Sequence, residues 1–263
     1  MIQVNIANQV GHLRFEAFNG AMDLEHLTRL QAAWEQLQSD AAVKVVVLWG
    51  GEEFFSNGID LVTIHQRYNP AILAYKNLKA LNRLITSLLH CQSKLLVAAM
   101  QGPAAAGGVM LGLACDLRYA TPLATINPHY VNLGLCGSEG FSLLLSQHAG
   151  LGRAQKMILE AAPLSPQTAV EWGLLHEVLP EQGFAAELAH RAEFLAQNQF
   201  AARLASKNLL LAPLRSQWEA AITREQEAMK NLCNEAGFAE ARQAFVQKQA
   251  QPGWLEIATK EAP

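Results

Sequence analysis

A chain of 263 residues, 51% hydrophobic and only 16% charged, can bury a substantial core, either as one large domain or as a core with a helical appendage. Its formal net charge of −3, with no basic stripe, gives no footing for nucleic acid. Cys91, Cys115, Cys136 and Cys233 are scattered without a CxxC pair, which argues against a zinc or other metal site and against a disulfide framework, and for free thiols in a reducing compartment.

Met1 to Phe15 alternates apolar and polar residues without a basic stretch leading an apolar run, so no signal peptide is expected. Within it, Ile2 to Ile6 and His12 to Phe15 read as strands joined by a turn at Asn8 to Gly11. Leu24, Leu27, Leu30, Trp34 and Leu37 recur at helical spacing. Val43 to Leu48 (VKVVVL) is a β-branched run bounded by Gly50 and Gly51, the pattern of a buried parallel strand. Leu73 to Leu89 repeats the helical period. Leu95 to Ala99 is a second buried strand ended by Gly102 and Pro103. Val109 to Ala114 reads as a helix starting straight after Gly107 and Gly108, and Leu117 to Ala120 as a third strand. Strands alternating with helices predict a mostly parallel sheet. After about Gly150, segments 153–160, 166–172, 183–196, 202–211 and 214–232 are helical in period, punctuated by Pro163, Pro166 and Pro180. Ala104 to Cys115, the longest apolar stretch, is too short and glycine-rich to span a bilayer, so the expected location is the cytoplasm.

Three segments could carry chemistry. Phe54 to Leu61 (FFSNGIDL) follows the VKVVVL strand, and its glycine lets a ligand approach the backbone; the competing reading is a tight turn. Ala104 to Met110 (AAAGGVM) runs from a strand through small residues into a helix, whose free N–H groups suit a developing anion; the competing reading is close helix–sheet packing. It is not a P-loop, because no GKS or GKT follows. Asn127 to Tyr130 and Gly134 to Gly140 gather polar groups beside glycines. Glu139 there stands near the start of an apolar helix, where it would serve equally as a capping carboxylate beside a surface His–Tyr pair.

In order and spacing these segments resemble the crotonase (enoyl-CoA hydratase/isomerase) superfamily. FFSNGIDL stands for an F-x-A-G-A-D-like loop, QGPAAAGGVMLGLACDLRYA for a G-x-x-x-G-G-like turn and helix, and NPHYVNLG for a P-E-x-x-x-G segment. GRAQKMILEAAPLSPQTAVEWGLLHEVLP, ASKNLLL and AFVQKQ extend the likeness over nearly the whole chain. The resemblance implies an α/β fold, a spiral of ββα units over residues 1–195 with a C-terminal helical trimerisation region over 196–263. It implies an acyl-CoA substrate, with coenzyme A as thioester carrier and no other cofactor. The backbone N–H groups of Ile59 and Gly107 would hold the thioester oxygen; such donors contribute about 2.7–4 kcal/mol each in other oxyanion holes. Coenzyme A would run along Ser56, Asn57, Gly58 and Leu61, with Lys207 and Lys248 as candidate basic contacts. The family buries apolar helix faces in trimers, so Leu188, Phe194, Leu195, Trp218, Ile222, Met229 and Leu232 imply a homotrimer or a dimer of trimers.

The departures bear on the reaction. Where hydratases of the family carry two glutamates, this chain has Met110 and, at the second place, Tyr130 counting back from Gly134 or His129 counting on from Pro128. SNGI, AGGVML, NPHY and the GSE of LCGSEGF are similar to the crotonase-like domain of the CO-forming hydrogenase-maturation proteins, which implies decarbonylation of formyl-CoA. Those proteins carry an N-terminal formyl-tetrahydrofolate-using domain. This chain begins directly with the crotonase-like strands, so a separate acyl- or formyl-transfer partner enters the expectation. MQG and GGVMLGL are also similar to the decarboxylases of polyketide pathways. Three readings follow: a CoA-thioester lyase (decarbonylase or decarboxylase) using Tyr130, His129 and Glu139; a hydratase or isomerase with Glu139 as its only acid/base; or a binding subunit without catalysis. In the first, Met110 dries the pocket and Glu139 orients Tyr130, His129 or a water.

Overall fold

The computed structural model describes residues 1–249, so the last part of the expected helical region, 250–263, lies outside the described residues. A hairpin of β1 (Ile2–Ala7) and β2 (Val10–Phe15) opens the chain and is the antiparallel pair of the main sheet. The parallel strands β4 (Val45–Trp49), β6 (Leu95–Met100), β8 (Leu117–Ala120) and β10 (Glu177–Val178) follow in the order β1-β2-β4-β6-β8-β10. Each of β2, β4, β6 and β8 is succeeded by a two-residue strand that leaves the main sheet: β3 (Ala21–Met22), β5 (Gly58–Ile59), β7 (Ala104–Ala105) and β9 (Ile126–Asn127). These pair among themselves, β3 with β5 and β7 with β9. Helices α1 (Leu24–Ser39), α2 (Leu61–His65), α3 (Pro70–Leu89) and α4 (Gly107–Leu113) close the units, which gives the ββα spiral. The two-residue strands are too short to show a period in the sequence.

β4 and β6 are buried along their whole length because both faces of the sheet are covered. Val46, Leu48, Leu96 and Ala98 point to α1 and α3 through Leu30, Trp34, Leu81 and Ile85. Val45, Val47, Trp49 and Val97 point the other way, onto Phe184, Leu188 and Ala192 of a later helix.

The second half is helical: α5 (Phe141–Ala149), α6 (Leu151–Glu160), α7 (Pro166–Glu171), α8 (Phe184–Gln197), α9 (Phe200–Leu232) and α10 (Ala236–Gln249). α9 joins the two segments expected at 202–211 and 214–232 into one helix with Pro213 inside. The proline leaves the carbonyl of Leu209 without its usual donor, and Leu209 is exposed, so water can serve it. The apolar stripe of α9 is covered by this chain. Leu188, Trp218, Ile222 and Met229, read from sequence as faces for a neighbouring subunit, are buried within the single chain: Leu188 of α8 packs on the sheet, and the other three are covered because α9 lies along α3 and α5. Phe194 stays half exposed. Among the described residues no helix is long and apolar enough to cross a membrane.

Candidate functional site

The loops after β4, β6 and β8 are stitched into one surface by backbone hydrogen bonds. Phe55 N donates to Pro103 O (2.9 Å), Ala105 N to Ser56 O (2.8 Å) and Ala106 N to Asn127 O (3.0 Å). Glycine makes the approach possible. A Cβ on Gly108 would stand 2.0 Å from Ser56 O, and one on Gly58, whose φ is +76°, would stand 3.2 Å from Gly107 N. The segment holding Ile59 and the segment holding Gly107 are therefore side by side, as the oxyanion reading requires. The Gly107 amide belongs to the first turn of α4, which has no acceptor inside its helix. Ala106, just before it, is held at φ 46°, ψ −125°, a conformation an alanine adopts only under constraint. Beyond Ile59, Asp60 caps α2 by accepting from Val62 N (2.9 Å) and Thr63 N (3.0 Å), and this fixes the end of the loop.

Glu139 is fully buried against this surface. Its Oε2 accepts from the Tyr130 hydroxyl at 2.8 Å, and its Oε1 has no hydrogen-bond partner. A Cβ on Gly107 would lie 3.3 Å from that free oxygen. Burial pushes the Glu139 carboxyl up to about 8; the Tyr130 hydrogen bond opposes the rise and the nearby Glu225 adds to it. The phenol of Tyr130 is also buried, and burial first, then the Glu139 charge, holds it well above the ordinary range. Ser138, beside Glu139, accepts from Asn82 Nδ2 of α3 at 2.8 Å.

The remaining sequence candidates separate into three places. Met110 is fully buried on α4, consistent with a dry wall. Ser56, Asn57, Gly58 and Leu61 shape the loop itself: Ser56 Oγ accepts from Gly58 N (3.2 Å), and Asn57 Nδ2 donates to Asn19 O (2.6 Å). His129 is not joined to the Tyr130–Glu139 pair but turns Nδ1 to Asn127 O at 3.2 Å, and burial lowers its pKa. Lys207 is a correction. Its Nζ forms a buried ion pair with Asp116 (2.8 Å) and donates to Lys94 O (2.6 Å). Lys94 and Asp116 precede β6 and β8, so Lys207 sits at the opposite end of the sheet from Gly107 and cannot meet a ligand there. Lys248 is exposed on α10, a helix that packs against α2 and the turn after Tyr130.

Glu139 does not cap α5, so the competing reading of it as a capping carboxylate is not the one the structure adopts. The α5 start is capped from α9 by Glu225, whose Oε2 accepts from Gly140 N (2.8 Å) and whose Oε1 accepts from Ser142 N (3.0 Å) and Ser142 Oγ (2.5 Å). Sequence reading missed Glu225. Its signal was present: Trp218, Ile222, Glu225 and Met229 form one buried stripe, and a glutamate at a core position of such a stripe needs a partner.

Over residues 6–256 the sequence matches the family described as Enoyl-CoA hydratase/isomerase. It is 31% identical over 233 residues to Hydrogenase maturation factor HoxX of Bradyrhizobium diazoefficiens, an alignment covering 88% of this chain and 41% of that protein. It is 32% identical over 202 residues to 4-chlorobenzoyl coenzyme A dehalogenase-1 of an Arthrobacter species, covering 74% of this chain and 72% of the dehalogenase. Among solved structures, HypX from Aquifex aeolicus in complex with tetrahydrofolic acid superposes with a TM-score of 0.88 at 31% identity, covering 97% of this chain and 47% of that one. An enoyl-CoA hydratase from Mycobacterium avium subsp. paratuberculosis gives 0.83 at 25% identity, covering 92% and 97%. The chain thus spans less than half the length of its HoxX and HypX relatives.

Proposed function

The chain belongs to the enoyl-CoA hydratase/isomerase family, and from that membership we propose that it is an acyl-CoA enzyme of the CoA-thioester lyase type, with Glu139 as its proton donor. The observation that carries the reading is the free Oε1 of the buried Glu139 beside Gly107, its carboxyl pushed up by burial, in a chain whose resemblance puts Met110 and Tyr130 or His129 where hydratases carry their two glutamates. The Ile59 and Gly107 amides would hold the thioester oxygen. A dry, low-dielectric site strengthens such hydrogen bonds.

In decarboxylation, the bond to CO₂ breaks, the electron pair moves into an enolate held by the two amides, and the enolate carbon takes the Glu139 proton. In decarbonylation of a formyl thioester, the C–S bond breaks and sulfur takes that proton. The formyl proton then returns to the Glu139 carboxylate as CO leaves. Neither needs the ordered water that hydration needs, which must be activated by one group while another protonates the α-carbon. The resemblance to the CO-forming hydrogenase-maturation proteins, with tetrahydrofolic acid bound in the HypX relative, supports the formyl substrate, and with it a transfer partner able to supply a formyl or other short acyl group. The isomerase reading, with Glu139 as sole acid/base, draws on the same free Oε1 but requires it ionised. A homotrimer or a dimer of trimers remains the assembly proposed from the family.

The experiment is incubation of the protein with formyl-CoA, malonyl-CoA and crotonyl-CoA while headspace CO, CO₂ and thioester products are measured. CO or CO₂ release with slow crotonyl-CoA hydration is the expected result. Crotonyl-CoA hydration at about 10 per second or more, the pace of an ordinary enzyme, overturns the lyase reading in favour of the hydratase one.

A further inference from the structure

We propose that Glu225 and Trp218 of α9 form a positioning clamp for Glu139, fixing the Gly140 turn so that Glu139 Oε1 faces Gly107. The inference rests on the reading of Glu139 as the proton donor.

The backbone around Glu139 is a tight turn, closed by Phe141 N donating to Ser138 O at 3.1 Å. Glu139 has φ 62° and Gly140 φ 76°, two successive left-handed residues, and the first is a glutamate, for which that conformation is unfavourable. Two contacts on Gly140 from outside the turn brace that conformation, and both come from α9. The Trp218 ring lies so close to Gly140 that a Cβ there would stand 2.0 Å from Cη2 and 2.2 Å from Cζ3. The indole is itself fixed, because its Nε1 donates to Thr86 Oγ1 of α3 at 2.9 Å. Two helical turns further on, Glu225 accepts from the Gly140 amide at 2.8 Å and from Ser142 N and Oγ at 3.0 and 2.5 Å. One residue is thereby gripped at its Cα and at its N–H, and the peptide so held is the one that follows Glu139.

A buried carboxylate is a costly way to cap one helix, and an apolar residue would fill the stripe of α9 more cheaply. What the charge adds is its effect on the neighbour. The titratable groups around Glu139 are Tyr130 from the turn before it, Cys136 from its own loop and Glu225 from α9; α3 and α4 contribute Leu81, Asn82 and Gly107, which do not titrate. Around Glu225 stand Ser142 and the Gly140 amide from α5, with Arg224 beside it on α9. Burial is the first cause of the raised Glu139 pKa, and the Glu225 charge adds to it, so Glu225 acts on the same carboxyl whose turn it places.

The test is Glu225→Gln, which keeps the shape, removes the charge and takes away one of the two accepting oxygens. The titration of Glu139 is followed by NMR of protein labelled with ¹³C in its glutamate carboxyls, the resonance being assigned by its loss in Glu139→Gln. In Glu225→Gln the Glu139 midpoint should fall. The kcat for thioester turnover should drop at least tenfold, with KM for the CoA substrate within about twofold of wild type. A residue that only supported the fold would lower the melting temperature and the active fraction, and would leave the midpoint alone. Should Glu225→Gln not fold, Trp218→Phe and Ser142→Ala each release one side of the clamp and should move the midpoint in the same direction. An unchanged Glu139 midpoint in folded variants overturns the proposal. The NMR measurement needs no turnover, so absence of thioester chemistry in the wild type would remove the functional reading while the clamp is still judged on the midpoint.

Discussion

The Tyr130 hydroxyl donates to Glu139 Oε2 across 2.8 Å, and neither group reaches solvent. The pair leaves one carboxyl oxygen engaged and one free beside Gly107, so the two side chains should contribute differently. Glu139→Gln removes the proposed proton donor and should lower kcat by about 10²–10⁴-fold, the span of general acid–base catalysis. Tyr130→Phe removes the hydrogen bond that holds the Glu139 pKa down. It should lower kcat less and move the alkaline limb of the rate profile to higher pH. Equal losses with an unmoved limb would mean that Tyr130, rather than Glu139, handles the proton.

Glycine at 108 is demanded by backbone, which cannot move aside as a side chain can. A methyl group there would meet Ser56 O at 2.0 Å and Ser56 C at 2.6 Å. Gly108→Ala should push apart the two loops that carry Ile59 and Gly107, costing about 1–3 kcal/mol or more in urea unfolding and most of the activity. Gly152→Ala, inside α6 and with nothing within 4 Å, is the control. It should stabilise by about 0.4–1 kcal/mol and leave turnover unchanged.

The Lys207–Asp116 pair gives a prediction that separates architecture from ligand binding. Lys207→Met strands a buried carboxylate whose other bond is to Leu96 N at 2.7 Å. The loss should be about 3–5 kcal/mol, the usual cost of breaking a buried pair. Lys207→Met with Asp116→Asn should recover part of it. Calorimetry should find coenzyme A affinity of the folded protein unchanged, and a tenfold loss of affinity would return Lys207 to the ligand site.

The sequence exposed what is periodic and hid what is long-range. VKVVVL and LLVAA could be read as buried strands because both faces are apolar, and β4 and β6 stand there. The glycines at 58, 107 and 108 were equally compatible with a tight turn and close helix–sheet packing, and it was the resemblance to the crotonase superfamily that made them a site. The two-residue strands β3, β5, β7 and β9 left no pattern to read, although they bring those glycines together. Lys207 was misassigned because an isolated lysine on a helix reads as solvated, and only the tertiary fold sets it against Asp116. The apolar stripe of α9 was assigned to a partner because sequence alone does not show that α3 and α5 already cover it.

The pH dependence of rate and of stability should share one origin in Glu139. Its folded pKa of about 8 lies above the ordinary glutamate value of 4.5, so the folded protein retains a proton that the unfolded chain has released. Below the ordinary value both states are protonated and the group contributes nothing to pH dependence. As pH rises from there through 8, the proton held only by the folded state loses value. Stability from this group therefore falls with pH, by at most about 1.4 kcal/mol per unit. Above 8 the loss is complete and the curve flattens. Glu225 and Asp116 are raised by burial and act in the same direction. His148, held down to about 3, acts oppositely, removing stability as pH falls below its ordinary value of 6.5. The Glu139 share is isolated by subtraction: urea unfolding of wild type and Glu139→Gln from pH 5 to 9 should diverge, with the variant gaining relative stability toward alkaline pH. The rate carries the chemical information. If Glu139 begins the cycle protonated, as the lyase reading requires, kcat should fall as pH passes 8. If it begins as a base, as an isomerase would need, kcat should rise through the same value. A rising limb near 8 that disappears in Glu139→Gln would therefore exclude the lyase assignment, and would do so whichever thioester proved to be the substrate.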